Sequence, residues 1–165
     1  MRVSRLTSRG VARLLRARSL FDVAPSNRDA RAYLRDPRNV FFLATEAGQP
    51  LGFLRGTALR QLHSDRPQMF LYEIGVAAPH RRRGVGRALI RALLAYCRRH
   101  SFEEVFVLTE PRNEAAVRLY RSTGAVTETS GDRMFVYRLG RRTPRPRRTL
   151  ERGAPRRGER PRAGA

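Results

Sequence analysis

An apolar segment, Met69–Val76, runs into His80-Arg-Arg-Arg-Gly-Val-Gly-Arg-Ala-Leu89, after which apolar residues recur at helical spacing. A strand, an arginine–glycine loop and a helix in that order make an anion cradle. Glycine lets backbone N–H groups approach a phosphate closely, and the positive end of the helix dipole attracts it. The expected occupant is a pyrophosphate.

Three glycine-loop chemistries compete for such a unit. A Walker loop requires Gly-x4-Gly-Lys-Ser/Thr, and this chain has no lysine, all 35 of its basic residues being arginine. A dinucleotide fingerprint requires a third glycine, and Leu89 stands in its place after Gly84 and Gly86. What remains is Arg81-x-x-Gly84-x-Gly86 behind an apolar strand.

The rest of the chain alternates elements. Arg2–Leu6 reads as a short strand, and Ser8–Arg18 as a helix presenting Val11, Leu14, Leu15 and then Phe21. Asn27 or Asp29 caps a second helix, which stops near Asp36 because Pro37 follows. Val40–Thr45 and Leu51–Leu59 form a hairpin turning through Glu46-Ala-Gly-Gln-Pro50, with glycine where positive φ is needed. Met69–Val76 is almost continuously apolar, as a strand buried on both faces would be. A helix from Gly84 to Arg99 follows, then a strand at Glu104–Leu108. Asn113 introduces a helix to Ser122, with Gly124 as its left-handed cap. A hairpin of Ala125–Thr129 and Met134–Leu139 completes an α/β or α+β mixed sheet.

Two domains of behaviour are expected. Residues 1–139 carry the folded domain, and 140–165 hold ten arginines against two glutamates with one large apolar residue, Leu150. Such a segment cannot bury enough surface to offset its ordering entropy, and it reads as a disordered basic tail. The net charge of +21 suggests polyanion partners, and nucleic acid could engage the tail, but uniform arginine use weakens that inference. The lone Cys97 excludes an intrachain disulfide and lies within an apolar helix pattern, so a buried structural thiol is expected, and no metal site. With no apolar run of 18 residues and no signal-peptide core, the expectation is a soluble, cytoplasmic protein without membrane contact.

The Arg81-x-x-Gly84-x-Gly86 loop resembles the acetyl-CoA-binding motif of the GNAT superfamily of N-acetyltransferases. The strand Tyr72-Glu-Ile-Gly-Val76 before it resembles the bulged strand of that family. Asn113, Ala116, Leu119, Tyr120 and Gly124 match its second motif in order and spacing. Within the superfamily, Leu71-Tyr-Glu-Ile-Gly-Val76, His80-Arg-Arg-Arg-Gly84 and Leu108-Thr-Glu-Pro-Arg-Asn113 look most like the aminoglycoside 3-N-acetyltransferase branch. The resemblance implies a mixed, mostly antiparallel central sheet flanked by helices and acetyl-CoA as co-substrate. It implies that backbone groups of Ile74, Gly75 and Val76 pair with pantetheine. The N–H groups from Arg81 to Arg87 (Arg81, Arg82, Arg83, Gly84, Val85, Gly86, Arg87) would hold the pyrophosphate, with Asn113 touching the carrier.

Acetylating an amine requires removing a proton from the ammonium and supplying one to the leaving thiolate. Glu73 is the candidate base, since a carboxylate in an apolar strand is costly unless paired or functional, and burial would raise its pKa. It could equally anchor a cationic substrate or pair structurally with an arginine. Tyr120 is the candidate acid, protonated at neutral pH with an ordinary pKa near ~10; its structural alternative is a core aromatic. No residue has a motif for a covalent nucleophile, so direct attack in a ternary complex is expected. The acceptor is an aminoglycoside or related small amine. A protein N-terminus, a metabolite amine, or a non-catalytic RNA-associated role are the alternatives, and a homodimer stays open.

Overall fold

In a computed structural model of the protein, residues 1–127 are described. The described residues form a five-stranded sheet in sequential order. β1 (Arg2–Leu6), β2 (Asn39–Glu46), β3 (Gln49–Leu59) and β4 (Gln68–Val76) are antiparallel neighbours. β5 (Val105–Phe106) lies parallel to β4. The four α-helices of the described residues are α1 (Val11–Arg16), α2 (Asn27–Arg35), α3 (Val85–Arg99) and α4 (Glu114–Arg121). The mixed, mostly antiparallel sheet flanked by helices is as expected.

The alternation of β2 divides the core into two layers. Val40, Phe42 and Ala44 face α3, which returns Val85, Leu89, Leu93, Tyr96 and Cys97 at helical spacing. Phe41 and Leu43 face the other way and pack with Phe53, Leu14, Ala17 and Ala30 beneath α1 and α2. β2 and β3 are joined by Ala47 and Gly48, both at positive φ (46° and 79°). That is the twist a two-residue hairpin needs.

Several elements differ from the sequence expectation. The helix expected over 8–18 is only six residues of α-helix, flanked by 3₁₀ turns at Ser8–Gly10 and Arg18–Leu20. Ser26, rather than Asn27 or Asp29, caps α2: its side chain accepts from Asp29 N, while Asp29 accepts from Ser26 N, a reciprocal capping box. The strand expected over 104–108 pairs only at Val105 and Phe106. β4 is not buried on both faces, since Tyr72 is 57% exposed. The reason is coverage: α3 contacts β2, β3 and β4, whereas α2 packs on β2 and α1 on β1, leaving the second face of β4 partly open. Residues 125–127 have no regular structure. The rest of the final hairpin and the basic tail lie outside the described residues.

Candidate functional site

The site is built around the end of β4. Its register with β3 slips between Arg55 and Gly56: Arg55 pairs with Glu73, but Gly56 pairs with Leu71. Tyr72 is the extra residue, so a β-bulge sits where the strand was expected to bulge. On the other side, β5 pairs with β4 only at Met69 and Phe70. From Leu71 to Val76 that edge has no strand partner among the described residues, leaving backbone donors and acceptors of Ile74, Gly75 and Val76 beside an opening.

The chain then turns through Ala78–His80 into the arginine loop. Arg81 Nε donates to the Val76 carbonyl at 3.2 Å, tying the loop to the strand end. Arg83 Nη1 and His80 Nδ1 lie 3.3 Å apart. Arg82 (φ 60°) and Gly84 (φ 81°) both take left-handed backbone, the kind of alternation that forms anion nests. Gly84 caps α3 without a side-chain hydrogen bond, so no side chain occupies the N–H groups of Val85, Gly86 and Arg87. The Val85 side chain is core, 3% exposed, and Arg87 is exposed.

The two glycines serve different ends. A Cβ on Gly84 would meet nothing within 4 Å, so only its left-handed backbone requires glycine. A Cβ on Gly86 would stand 3.0 Å from Leu119 Cδ2, so this glycine lets α4 approach the first turn of α3. Asn113 Oδ1 accepts from Ala116 N at 3.2 Å and caps α4. The neighbouring Tyr120 is half-buried against the α3-side core, and burial pushes its phenol above the ordinary value.

Glu73 lies on the opposite face. Arg55 Nε donates to Glu73 Oε2 at 2.7 Å, with each side chain 30% exposed. The enclosure on which a buried base was predicated is therefore absent, and the carboxylate has a partner. The Arg55 guanidinium also stands 4.3 Å from the Tyr72 ring centroid and 5.9 Å from that of Tyr33. The sequence reading missed Arg55. An arginine two residues after Phe53 in an otherwise apolar strand was the available signal. Cys97 is buried and burial pushes its thiol up to about 11, so it is no thiolate near neutral pH.

This geometry accommodates an extended acyl carrier with an anionic end: an open strand edge leads into a loop of uncapped N–H groups and arginines. The profile of the acetyltransferase (GNAT) family matches residues 10–125. The chain belongs to the GNAT family. Its members are acetyltransferases that draw on acetyl-CoA, and the open edge and N–H loop fit that donor.

Among relatives, N-acetyltransferase family 8 member 3 of Rattus norvegicus is 32% identical over 109 residues, 66% of this chain and 48% of the relative. The Mus musculus protein of the same name is 28% identical over 107 residues, 65% of this chain and 46% of its own length. The chain thus spans about half the length of these curated relatives. An aminoglycoside acetyltransferase from an uncultured soil metagenomic sample, crystallised with trehalose, superposes with a TM-score of 0.77 at 25% identity, covering 84% of this chain and 96% of that one. Another soil aminoglycoside acetyltransferase gives 0.72 at 26% identity, covering 84% and 98%. The GNAT fold read from the motifs is thereby borne out. Among the described residues no helix is long and apolar enough to cross a membrane, and no group of His, Cys, Asp and Glu could hold a metal ion.

Proposed function

We propose that this GNAT chain moves an acetyl group from acetyl-CoA to a primary amine by direct attack in a ternary complex. The observation that carries this reading is the edge of β4 from Leu71 to Val76, without a strand partner among the described residues, followed by the arginine loop and the uncapped start of α3. When bound, acetyl-CoA supplies an acetyl thioester. Ile74, Gly75 and Val76 hold its pantetheine amides by backbone hydrogen bonds. The loop from Arg81 to Arg87 binds its pyrophosphate through backbone N–H groups and guanidiniums. Asn113 fixes the start of α4, and through it the approach of that helix to the site.

In the chemical step the amine nitrogen bonds to the acetyl carbon and the carbon–sulfur bond breaks. Glu73 takes the proton that the ammonium gives up, directly or through one water. Tyr120 donates its phenolic proton to the departing sulfur, and the second proton that the nitrogen sheds as the amide forms restores the phenol. The two groups approach from opposite faces of the sheet, with the open β4 edge between them. The buried, high-pKa thiol of Cys97 supports direct attack over a cysteine relay.

For the acceptor, the structural neighbours support an aminoglycoside or related small amine. Nothing in the geometry singles out the 3-N position. A protein N-terminus is the second enzymatic reading. The test is CoA-thiol release by the purified chain with aminoglycosides, alkylamines and peptides. Release with at least one amine is expected. No release with any of them, together with salt-sensitive RNA binding, would point to a non-catalytic CoA-binding protein instead.

A further inference from the structure

Beside the Arg55–Glu73 pair, on the face covered by α1 and α2, lies a cavity of about 170 Å³. Leu14, Phe21, Val23, Tyr33, Phe41 and Arg55 are among its walls. One side is an aromatic stack: Phe21 lies 4.0 Å from Phe53 and 6.1 Å from Phe41, centroid to centroid. Phe53 in turn stands against Gly75, so the Phe21–Phe53 stack runs from the cavity wall to the β4 backbone expected to hold pantetheine.

The volume is close to that of an engineered apolar cavity of ~150 Å³ that binds benzene. It holds one ring or a branched alkyl group and is too small for the linked rings of an aminoglycoside. The charges point the same way. Arg55 lines the cavity, and its hydrogen bond to Glu73 runs from Nε, leaving the two terminal nitrogens of the fork without hydrogen-bond partners among the described residues. The single carboxylate in the lining, Asp29, already accepts from Ser26 N and Ser26 Oγ in the capping box. A second ammonium on the acceptor would therefore meet a cation and an occupied anion.

We propose that this cavity receives one uncharged apolar group of the acceptor, about a ring in size, and that Arg55 selects against acceptors carrying a second cation there. The inference rests on the amine-acetyltransferase reading above and, of the acceptors named there, selects the small amine, as an apolar monoamine, over the aminoglycoside.

The experiment measures thiol release by the full chain at saturating acetyl-CoA with ethylamine, 2-phenylethylamine and kanamycin. Ethylamine and phenylethylamine offer the same alkylamine and differ in the ring. The expected kcat/KM for phenylethylamine exceeds that for ethylamine by about tenfold or more, and it also exceeds that for kanamycin. Val23→Arg alters a cavity wall that is 71% exposed, so packing is little disturbed. It should lower the phenylethylamine-to-ethylamine ratio several-fold. Equal kcat/KM for those two amines, or preference for kanamycin, overturns the proposal while leaving the amine-acetyltransferase reading intact. Absence of turnover with all three amines and with peptide N-termini removes that reading, and the proposal with it.

Discussion

Arg55 and Glu73 stand opposite each other on β3 and β4, joined from Nε to Oε2 at 2.7 Å, at the point where the register of the two strands slips. The bulge at Tyr72 sets both side chains on the α1–α2 face, and the Tyr72 ring lies under the guanidinium at 4.3 Å. A cation, a carboxylate and an aromatic face are thereby gathered beside the open edge of β4.

Replacing Glu73 by Gln separates proton abstraction from structure. If its carboxylate takes the ammonium proton, kcat/KM falls by about 10²–10⁴. The partly exposed ion pair itself contributes only about 0.2–1 kcal/mol, so Tm should move by a few degrees at most. Wild-type turnover throughout a pH profile of E73Q would exclude the role of base.

Tyr120→Phe keeps the ring against the α3-side core and removes only a hydroxyl, which has no hydrogen-bond partner among the described residues. Tm is expected to stay within about two degrees, while the chemical step slows by about 10². Because burial raises this phenol above its ordinary value, the wild-type acid stays protonated through neutral and mildly alkaline pH. Single-turnover rates should therefore show no loss of this acid through neutral and mildly alkaline pH. An undiminished single-turnover rate in Y120F counts against Tyr120.

Gly75→Ala and Gly86→Ala should separate stability from rate. A Cβ at position 75 would lie 2.6 Å from Phe53 Cε1, and that ring is fully buried and stacked on Phe21. Overpacking there should cost about 1–3 kcal/mol and lower Tm by several degrees. At position 86 the clash is with the end of the Leu119 side chain, and alanine gains about 1 kcal/mol of helix propensity. Thermal unfolding should shift less for G86A than for G75A. Its turnover should nonetheless fall, because Leu119 adjoins Tyr120.

Tyr33 offers a test at alkaline pH. Its hydroxyl donates to the Gly56 and Val40 carbonyls at 3.0 and 3.2 Å, fastening α2 to the sheet, and burial pushes its pKa up to about 12. A folded-state pKa above the unfolded value means the neutral form is favoured in the native protein. That contribution is complete below pH ~10 and is lost as pH rises through 12. Denaturant titrations should show Tyr33→Phe to be less stable by about 1–2 kcal/mol at pH 8. The gap to wild type should narrow above pH 10, and a constant gap up to pH 12 would contradict the assigned pKa.

Much of the fold was legible in the sequence because its signals are local. The 3.6-residue spacing of Val85, Leu89 and Leu93 specifies α3, and Ala47-Gly48 specifies a tight hairpin. The Arg81–Gly86 loop and the Asn113–Tyr120 helix are short contiguous motifs, and together they identified an acetyl-CoA enzyme family. Capping was less legible: Ser26, Asn27 and Asp29 are all competent caps, and the choice of Ser26 rests on reciprocal bonds in which each residue's backbone N–H donates to the other's side chain.

The sequence by itself determined the order of elements over the described residues, the arginine–glycine loop ahead of α3 and the family, since each depends on residues within one or two turns of one another. Tertiary structure alone decided what those residues face. Strand register paired Glu73 with an arginine 18 residues away, where an apolar strand had suggested a buried base. Helix packing assigned Gly86 to Leu119 as well as to the cradle. The cavity beside Arg55 exists only because α1 and α2 close over β2 and β3. Such contacts depend on how strands slide and helices dock, which periodicity leaves free and close packing resolves.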